Sequence, residues 1–187
     1  MSQTDIATHG RIRLRLPHED DRDEFRTRMR DSAELHDPWL EPGDPDTWFT
    51  RLLSRNEGTA DRSLFVRRAD DDAVVGVFNL SQIFYGPFRS AYLSYYAFVP
   101  FARKGYMREG LDAVLTHVFV DLRLHRLEAN IQPDNVASAA LVRGAGFRLE
   151  GFSPRYLRIR GVWRDHDRWA ITAEDRPAGP DGDPRAS

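Results

Sequence analysis

Polar and apolar residues alternate strictly over residues 11–16, Arg-Ile-Arg-Leu-Arg-Leu, which is the period of a half-buried strand. Pro17 ends that pattern. Over residues 18–31, acids and arginines surround Phe25 and Met29, four apart, and predict a surface helix with a narrow apolar face. Residues 37–46 hold Pro38, Pro42, Gly43 and Pro45 and predict a loop. Pro45 suits a first helical turn with Asp44 as its N-cap. Trp48, Phe49 and Leu52 then supply the buried stripe of a helix reaching Arg55.

Residues 63–68 predict a strand, joined by the acidic turn Asp70-Asp71-Asp72 to a second over 73–84; Tyr85-Gly86-Pro87 turns into a third over 90–99. Such short links imply an antiparallel meander. The period then changes: Met107, Leu111, Val114, Leu115, Val118, Phe119 and Leu122 recur every third or fourth residue, an amphipathic helix of about four turns. Residues 127–131 are strand-like. Asp134 or Asn135 can cap a short helix over 136–143 that stops at Gly144-Ala145-Gly146. Two final strands follow, over 147–158 and 162–172, with a turn at Gly161.

The predicted order is βααβββαβαββ, one mixed α/β (α+β) domain over 9–173, between a loose leader (1–8) and a disordered tail (174–187) rich in proline, glycine and acid. A length of 187 residues suits a single domain with a full core. Cys is absent, which excludes a disulfide framework, a thiolate zinc site and a thiol nucleophile. The net charge of −2 gives no electrostatic reason to expect direct nucleic-acid binding. Lys104 is the sole lysine, and the arginines are interspersed with acids. No apolar run approaches the roughly 20 residues that span a bilayer, and the N-terminus lacks a signal pattern, so the cytoplasm is the expected location. The six histidines lack paired metal-ligand spacing, so no metal is expected.

Candidate chemistry starts at Phe98-Val99-Pro100, which leads through Phe101-Ala102-Arg103-Lys104-Gly105 into the long helix. A strand, a glycine-bearing turn and a helix start point several backbone N–H groups at one spot, where the helix dipole adds partial positive charge, so a phosphate is favoured. Arg103 and Lys104 add cations at the rim. Gly105 would equally serve a plain tight turn, and the motif alone leaves both open. It is neither a P-loop nor a dinucleotide fingerprint.

The element order and these residues resemble the GNAT superfamily of acyl-CoA N-acyltransferases. The family's pyrophosphate loop runs Gln/Arg-x-x-Gly-x-Gly/Ala. The aligned residues here, Ala102-Arg103-Lys104-Gly105-Tyr106-Met107, keep the central glycine and depart at Ala102 and Met107. The Gly-Tyr-Met form is similar to the Rim branch, the N-terminal acetyltransferases of ribosomal proteins. Further matches are Leu124-His125-Arg126-Leu127-Glu128-Ala129-Asn130, Pro133-Asp134-Asn135-Val136-Ala137-Ser138 and Gly146-Phe147-Arg148-Leu149-Glu150-Gly151. The closing Tyr156-Leu157 through Gly161-Val162-Trp163-Arg164-Asp165-His166 resembles the ribosomal-protein-alanine N-acetyltransferase type.

The resemblance implies one mostly antiparallel GNAT-type sheet flanked by helices. It also implies direct transfer of acetyl from acetyl-CoA to a primary amine, most naturally a protein N-terminus, as in ribosomal protein modification. A small-amine acetyltransferase and a catalytically silent CoA-binding sensor are the alternatives. Backbone groups at Phe98 and Val99 would pair with the pantetheine amides, and Arg103, Lys104, Gly105, Tyr106 and Met107 would hold pyrophosphate. Asn135 matches an asparagine that contacts the pantetheine arm, although an N-cap role competes for it. Ser138 matches a serine near the CoA sulfur. Leu157 stands where Rim-type enzymes can place a glutamate base. Glu41 and Asn130 are the substitutes considered, with Tyr95 or Tyr96 orienting water. His125, which precedes a strand at the end remote from the expected thioester, and the Asp165-His166 pair, whose members face opposite ways as strand neighbours, are read as structural. The last strands often pair between subunits in the superfamily, which leaves a homodimer open.

Overall fold

The alternating N-terminal segment forms β2 (Ile12–Arg15) in the computed structural model, which describes residues 5–41 and 43–176. A shorter strand, β1 (Ala7–His9), precedes it and pairs His9 with Ile12 across Gly10 and Arg11. Gly10 has φ +54°, a backbone shape that a residue without Cβ adopts freely. Ala7 and Thr8, expected in the loose leader, thus belong to the sheet; residues 1–4 lie outside the described residues.

Two helices follow, α1 (Arg22–Asp31) and the single-turn α2 (Ala33–His36). After the proline loop comes α3 (Pro45–Ser54), where Asp44 Oδ2 accepts the Thr47 N–H at 2.8 Å as the predicted cap. Strands β3 (Arg62–Arg68), β4 (Val74–Phe84) and β5 (Ser90–Ala97) form the antiparallel meander. Helix α4 (Tyr106–Thr116) runs on through a π turn over His117–Asp121, and then β6 (Arg126–Ile131) and α5 (Val136–Gly144) follow. A long hairpin, β7 (Arg148–Ile159) and β8 (Val162–Thr172), closes the fold. Compared with the predicted order, β1 and α2 are additional. Ala-Thr-His carries no alternation, and one helical turn is too short to show a period.

The strands make one 8-stranded sheet in the order β1-β2-β3-β4-β5-β6-β8-β7. Every neighbouring pair is antiparallel except β5–β6, which α4 joins as a crossover. Successive residues Phe65 and Val66 of β3 point to opposite faces. On the Phe65 face sit Phe25 of α1 and Phe49 of α3, with ring centroids 6.0 and 6.3 Å from Phe65. On the Val66 face lies α4, so close that a Cβ on Gly110 would come within 2.8 Å of Val66. Leu111, Val114, Leu115 and Val118 are buried there, as the helical period requires. Beyond β8, Ala173–Asp175 form a single turn in which Thr172 and Asp175 cap each other; residues 177–187, the bulk of the expected tail, lie outside the described residues. No helix among the described residues is long and apolar enough to cross a membrane.

Candidate active site

The parallel pairing of β5 with β6 runs from Ser90–Arg126 to Leu93–Ala129 and stops there. Both strands continue on their outer partners: β5 reaches Ala97 opposite Gly76 of β4, and β6 reaches Ile131 opposite Asp167 of β8. The middle of the sheet therefore splits into a wedge. The Phe98 N–H donates to Val75 O at 2.8 Å, on the β4 side. By strand alternation, the backbone groups of Tyr95 and Ala97 face the wedge instead and offer an edge that an extended amide chain can join. The Val99 N–H donates to Ser32 Oγ at 3.0 Å, and Phe98 O accepts from Phe101 and Ala102. The N–H groups of Phe98 and Val99 are thus committed within the protein, and Ala97 O accepts from His36 Nε2 at 2.8 Å, so the free edge lies upstream, in the backbone groups of Tyr95 and the Ala97 N–H.

Past Phe98 the chain turns through Arg103, φ +62°, and Gly105, φ +86°, into α4. Among the described residues, the N–H groups of Arg103, Lys104, Gly105, Tyr106 and Met107 have no acceptor; the first helical bonds come from Arg108 and Glu109 to Gly105 O. These donors, at the positive end of the helix dipole, fit a phosphate group. Arg11 braces the turn from behind. Its guanidinium pairs with Glu109, donates to Lys104 O at 3.1 Å and lies 4.4 Å from the Tyr106 ring centroid. Tyr106 itself is buried, Met107 lies against Gly76, and the Arg103 and Lys104 side chains are exposed.

Across the wedge stands the start of α5. Asn135 Oδ1 accepts the Ser138 N–H at 3.1 Å as the helix N-cap. The cap uses the oxygen alone and leaves the amide NH2 free to donate, so capping and ligand contact are compatible in one side chain. Tyr95 reaches across from β5. Its hydroxyl donates to Ser138 O at 3.0 Å and lies 2.6 Å from Ser138 Oγ. Burial pushes the Tyr95 phenol up to about 12, with the Ser138 bond pulling the other way, so at neutral pH it is a proton donor.

A cleft of about 760 Å³ runs from the turn along α5, lined by Ala97, Arg103, Gly105, Met107, Asn135 and Ser138 among others. A second, of about 330 Å³, includes Glu41, Tyr95, Asn130, Leu157, Arg158 and His166. Both include Tyr95, Asn135 and Ser138, so they meet at the Tyr95–Ser138 contact. The first has the shape and donors to hold a phosphorylated, extended chain, and the second can admit an acceptor from the other side.

In the second cleft, Glu41 Oε2 accepts the Arg160 N–H at 2.8 Å, which ties its loop to the β7–β8 turn. Asn130 Oδ1 is buried with no donor among the described residues. Leu157 presents an apolar side chain. The Asp165-His166 pair splits as neighbours on a strand must. Asp165 accepts the Arg155 N–H at 2.7 Å, at the bulge where β7 loses register, whereas His166 is buried and lines the cleft. The resemblance supplied no role for His166, and the sequence alone contained one usable signal, its opposition to Asp165. Tyr96, a further candidate for orienting water, lines the larger cleft and is mostly buried, with its hydroxyl accepting from Trp48 Nε1 at 3.0 Å. His125 pairs with Glu174, away from both clefts.

Comparison with known proteins agrees with this architecture. Residues 11–148 match the Acetyltransferase (GNAT) domain family. The [ribosomal protein uS5]-alanine N-acetyltransferase of Escherichia coli is 34% identical over 182 residues, 92% of this chain and 93% of that one. The structure of RimJ from Mycobacterium smegmatis in complex with CoA-disulfide superposes with a TM-score of 0.80 at 29% identity, covering 89% of this chain and 84% of that one. The ribosomal-protein-S5-alanine acetyltransferase of Vibrio fischeri gives 0.78 at 25% identity, covering 91% and 98%. The chain belongs to the GNAT acetyltransferase family. It is an acyltransferase, an N-acetyltransferase with Rim-type relatives, and acetyl-CoA is its cosubstrate.

Proposed function

We propose that this enzyme acetylates the N-terminal α-amine of a protein, of the ribosomal-protein-alanine type, in the cytoplasm. The likeness to the Escherichia coli uS5-alanine enzyme over nearly the full length of both chains carries this reading. The acceptor cleft supports it. Glu41 is the one carboxylate among the described residues lining that cleft, it already binds the Arg160 N–H, and Arg158 lines the same cleft. A polyamine, with several ammonium groups, calls for a more acidic pocket. An α-amine, with a pKa of about 8 against about 10.4 for lysine, also loses its proton to a weak base near neutral pH.

Acetyl-CoA, when bound, supplies an activated acetyl thioester. The free N–H groups of 103–107 hold its pyrophosphate, with Arg103 and Lys104 at the rim. The strand edge at Tyr95–Ala97, just before Phe98 and Val99, aligns the pantetheine arm, and the Asn135 amide donates to it. As charge develops on the sulfur, Ser138 Oγ turns its proton from the Tyr95 hydroxyl to it, and Tyr95 turns its own from Ser138 O to Oγ. Glu41 and Asn130 line the path of the incoming amine, the Asn130 Oδ1 sealed from it.

Proteome-wide N-terminal profiling with and without the gene tests the acceptor. The expected result is loss of acetylation at an alanine N-terminus, a ribosomal protein first among them. An unchanged profile, with purified enzyme acetylating spermidine, would replace this reading by the small-amine one. Acetyl-CoA binding without CoA release on a broad peptide panel would replace it by the sensor.

A further inference from the structure

We infer that His166 is the catalytic proton acceptor: a neutral imidazole whose Nε2 takes the proton from the attacking amine. This rests on the reading of the second cleft as the amine site. Its first support is the tautomer. His166 Nδ1 lies 3.0 Å from Arg164 O, and a carbonyl can only accept, so Nδ1 carries the hydrogen and Nε2 keeps a lone pair. The second is access. Nε2 has no partner among the described residues and is not sealed, although the residue is only 3% exposed; the opening is the cleft itself.

The third support is placement. Arg168 of β8 is opposite Asn130 of β6, and His166 is two positions from Arg168, so His166 and Asn130 share one face of the sheet. That face is the one bearing α1 and α3, opposite the α4 and α5 side on which Tyr95 meets Ser138. A thioester passing through the wedge would have Ser138 on one side and His166 on the other. Asn130 lines the same cleft, but its Oδ1, without a donor among the described residues, is sealed like His36 Nδ1, so Nε2 of His166 is the open acceptor on this face. His36, the other buried histidine, is arranged oppositely. Its Nε2–H donates to Ala97 O at 2.8 Å and its Nδ1 is sealed, so no lone pair faces a ligand.

The step balances. The amine lone pair forms the C–N bond to the acetyl carbon, one amine hydrogen passes to His166 Nε2 as H⁺, and the C–S bond breaks with its electron pair on sulfur. The sulfur takes a proton from the Ser138–Tyr95 pair, the imidazolium releases one to solvent, and the pair regains its proton from solvent, so the enzyme ends as it began. Amine and acetyl-CoA become amide and free CoA.

Burial pushes the His166 pKa down, against the Arg164 carbonyl and the charges of Asp165 and Asp167 on its own strand. From β7, Tyr156 packs on the ring at 5.8 Å and Arg158 lines the cleft; Glu41 faces it from the proline loop, and Asn130 of β6 is uncharged. The base is therefore in its working form at neutral pH, and activity falls on acidification.

The test uses the full chain with acetyl-CoA and, separately, a hexapeptide with a free N-terminal alanine, spermidine, and water alone, following CoA release. His166→Gln keeps a donor for the Arg164 carbonyl and removes the base. Its kcat should fall about 100-fold on every probe the wild type turns over, with the acid limb of the kcat–pH profile abolished and acetyl-CoA affinity within about twofold. A kcat within about threefold of wild type, an unchanged acid limb, or parallel loss of kcat and affinity overturns the assignment. Imidazole ¹⁵N NMR on the wild type tests it without any acceptor or variant. The Nδ1–H tautomer is expected, and a neutral ring protonated on Nε2 refutes the proposal. A wild type that ignores the alanyl peptide yet acetylates spermidine or hydrolyses acetyl-CoA defeats the acceptor proposed above and leaves the His166 test standing.

Discussion

Asn135 performs two jobs with two ends of one amide, and exchanging it for alanine and for aspartate separates them. Its Oδ1 caps α5 by accepting the Ser138 N–H at 3.1 Å. Loss of such a cap costs about 1 kcal/mol. For a chain of this size that lowers Tm by about 2–4 °C. Asn135→Ala should show this drop. Asn135→Asp keeps an acceptor at the same place, and a carboxylate at a helix N-terminus gains about 0.3–1 kcal/mol from the dipole, so it should melt at or above wild type. Both variants lose the amide donor that faces the larger cleft. A neutral hydrogen bond contributes about 0.5–1.5 kcal/mol, so CoA affinity should fall by up to about tenfold in each. Scanning calorimetry reads the first effect, and titration calorimetry with CoA the second. If aspartate melts as low as alanine, the cap does not run through Oδ1. If aspartate binds CoA as tightly as wild type, the amide does not contact the arm.

Tyr95→Phe removes the hydroxyl 2.6 Å from Ser138 Oγ and should lower kcat for CoA release about tenfold. Adding Ser138→Ala to it should cost less than the sum of the single losses, because the pair acts as a unit; fully additive losses would break the pairing. Gly110→Ala places a Cβ 2.8 Å from Val66 and 3.0 Å from Phe78. Overpacking costs about 1–3 kcal/mol and outweighs the helix-propensity gain of up to about 1 kcal/mol, so chemical denaturation should show a less stable protein; a more stable one would mean α4 lifts freely from the sheet. Burial holds the pKa of both His36 and His166 below the ordinary value, so the unfolded chain takes up protons there before the folded one does. Stability from these groups is complete above about pH 6.5 and is lost as pH falls from there toward the depressed values. Tm should drop between about pH 7.5 and 5.5, and a flat profile would contradict the burial argument.

Local pattern alone determined most of the frame. Strict alternation at Ile12 and Leu14, the meander of β3 to β5, the apolar period of α4 and the Asp44–Pro45 helix start are each set by neighbours a few residues apart, so they are legible one-dimensionally. The phosphate-ready turn was visible for the same reason, since a strand, a glycine and a helix start are contiguous. Elements shorter than their own period, β1 and α2, were not. The chemistry depended on register and on where pairing stops, and those are properties of strands far apart in the chain. Only the fold ends β5–β6 pairing at Leu93–Ala129 and opens the wedge that moves the free edge from Phe98 and Val99 to Tyr95 and the Ala97 N–H. Only the fold brings Tyr95 to Ser138, 43 positions away. The sequence could say that Asp165 and His166 face opposite ways. Which of them meets the cleft was decided by the register of β8 against β6 and by a carbonyl that leaves Nε2 bare.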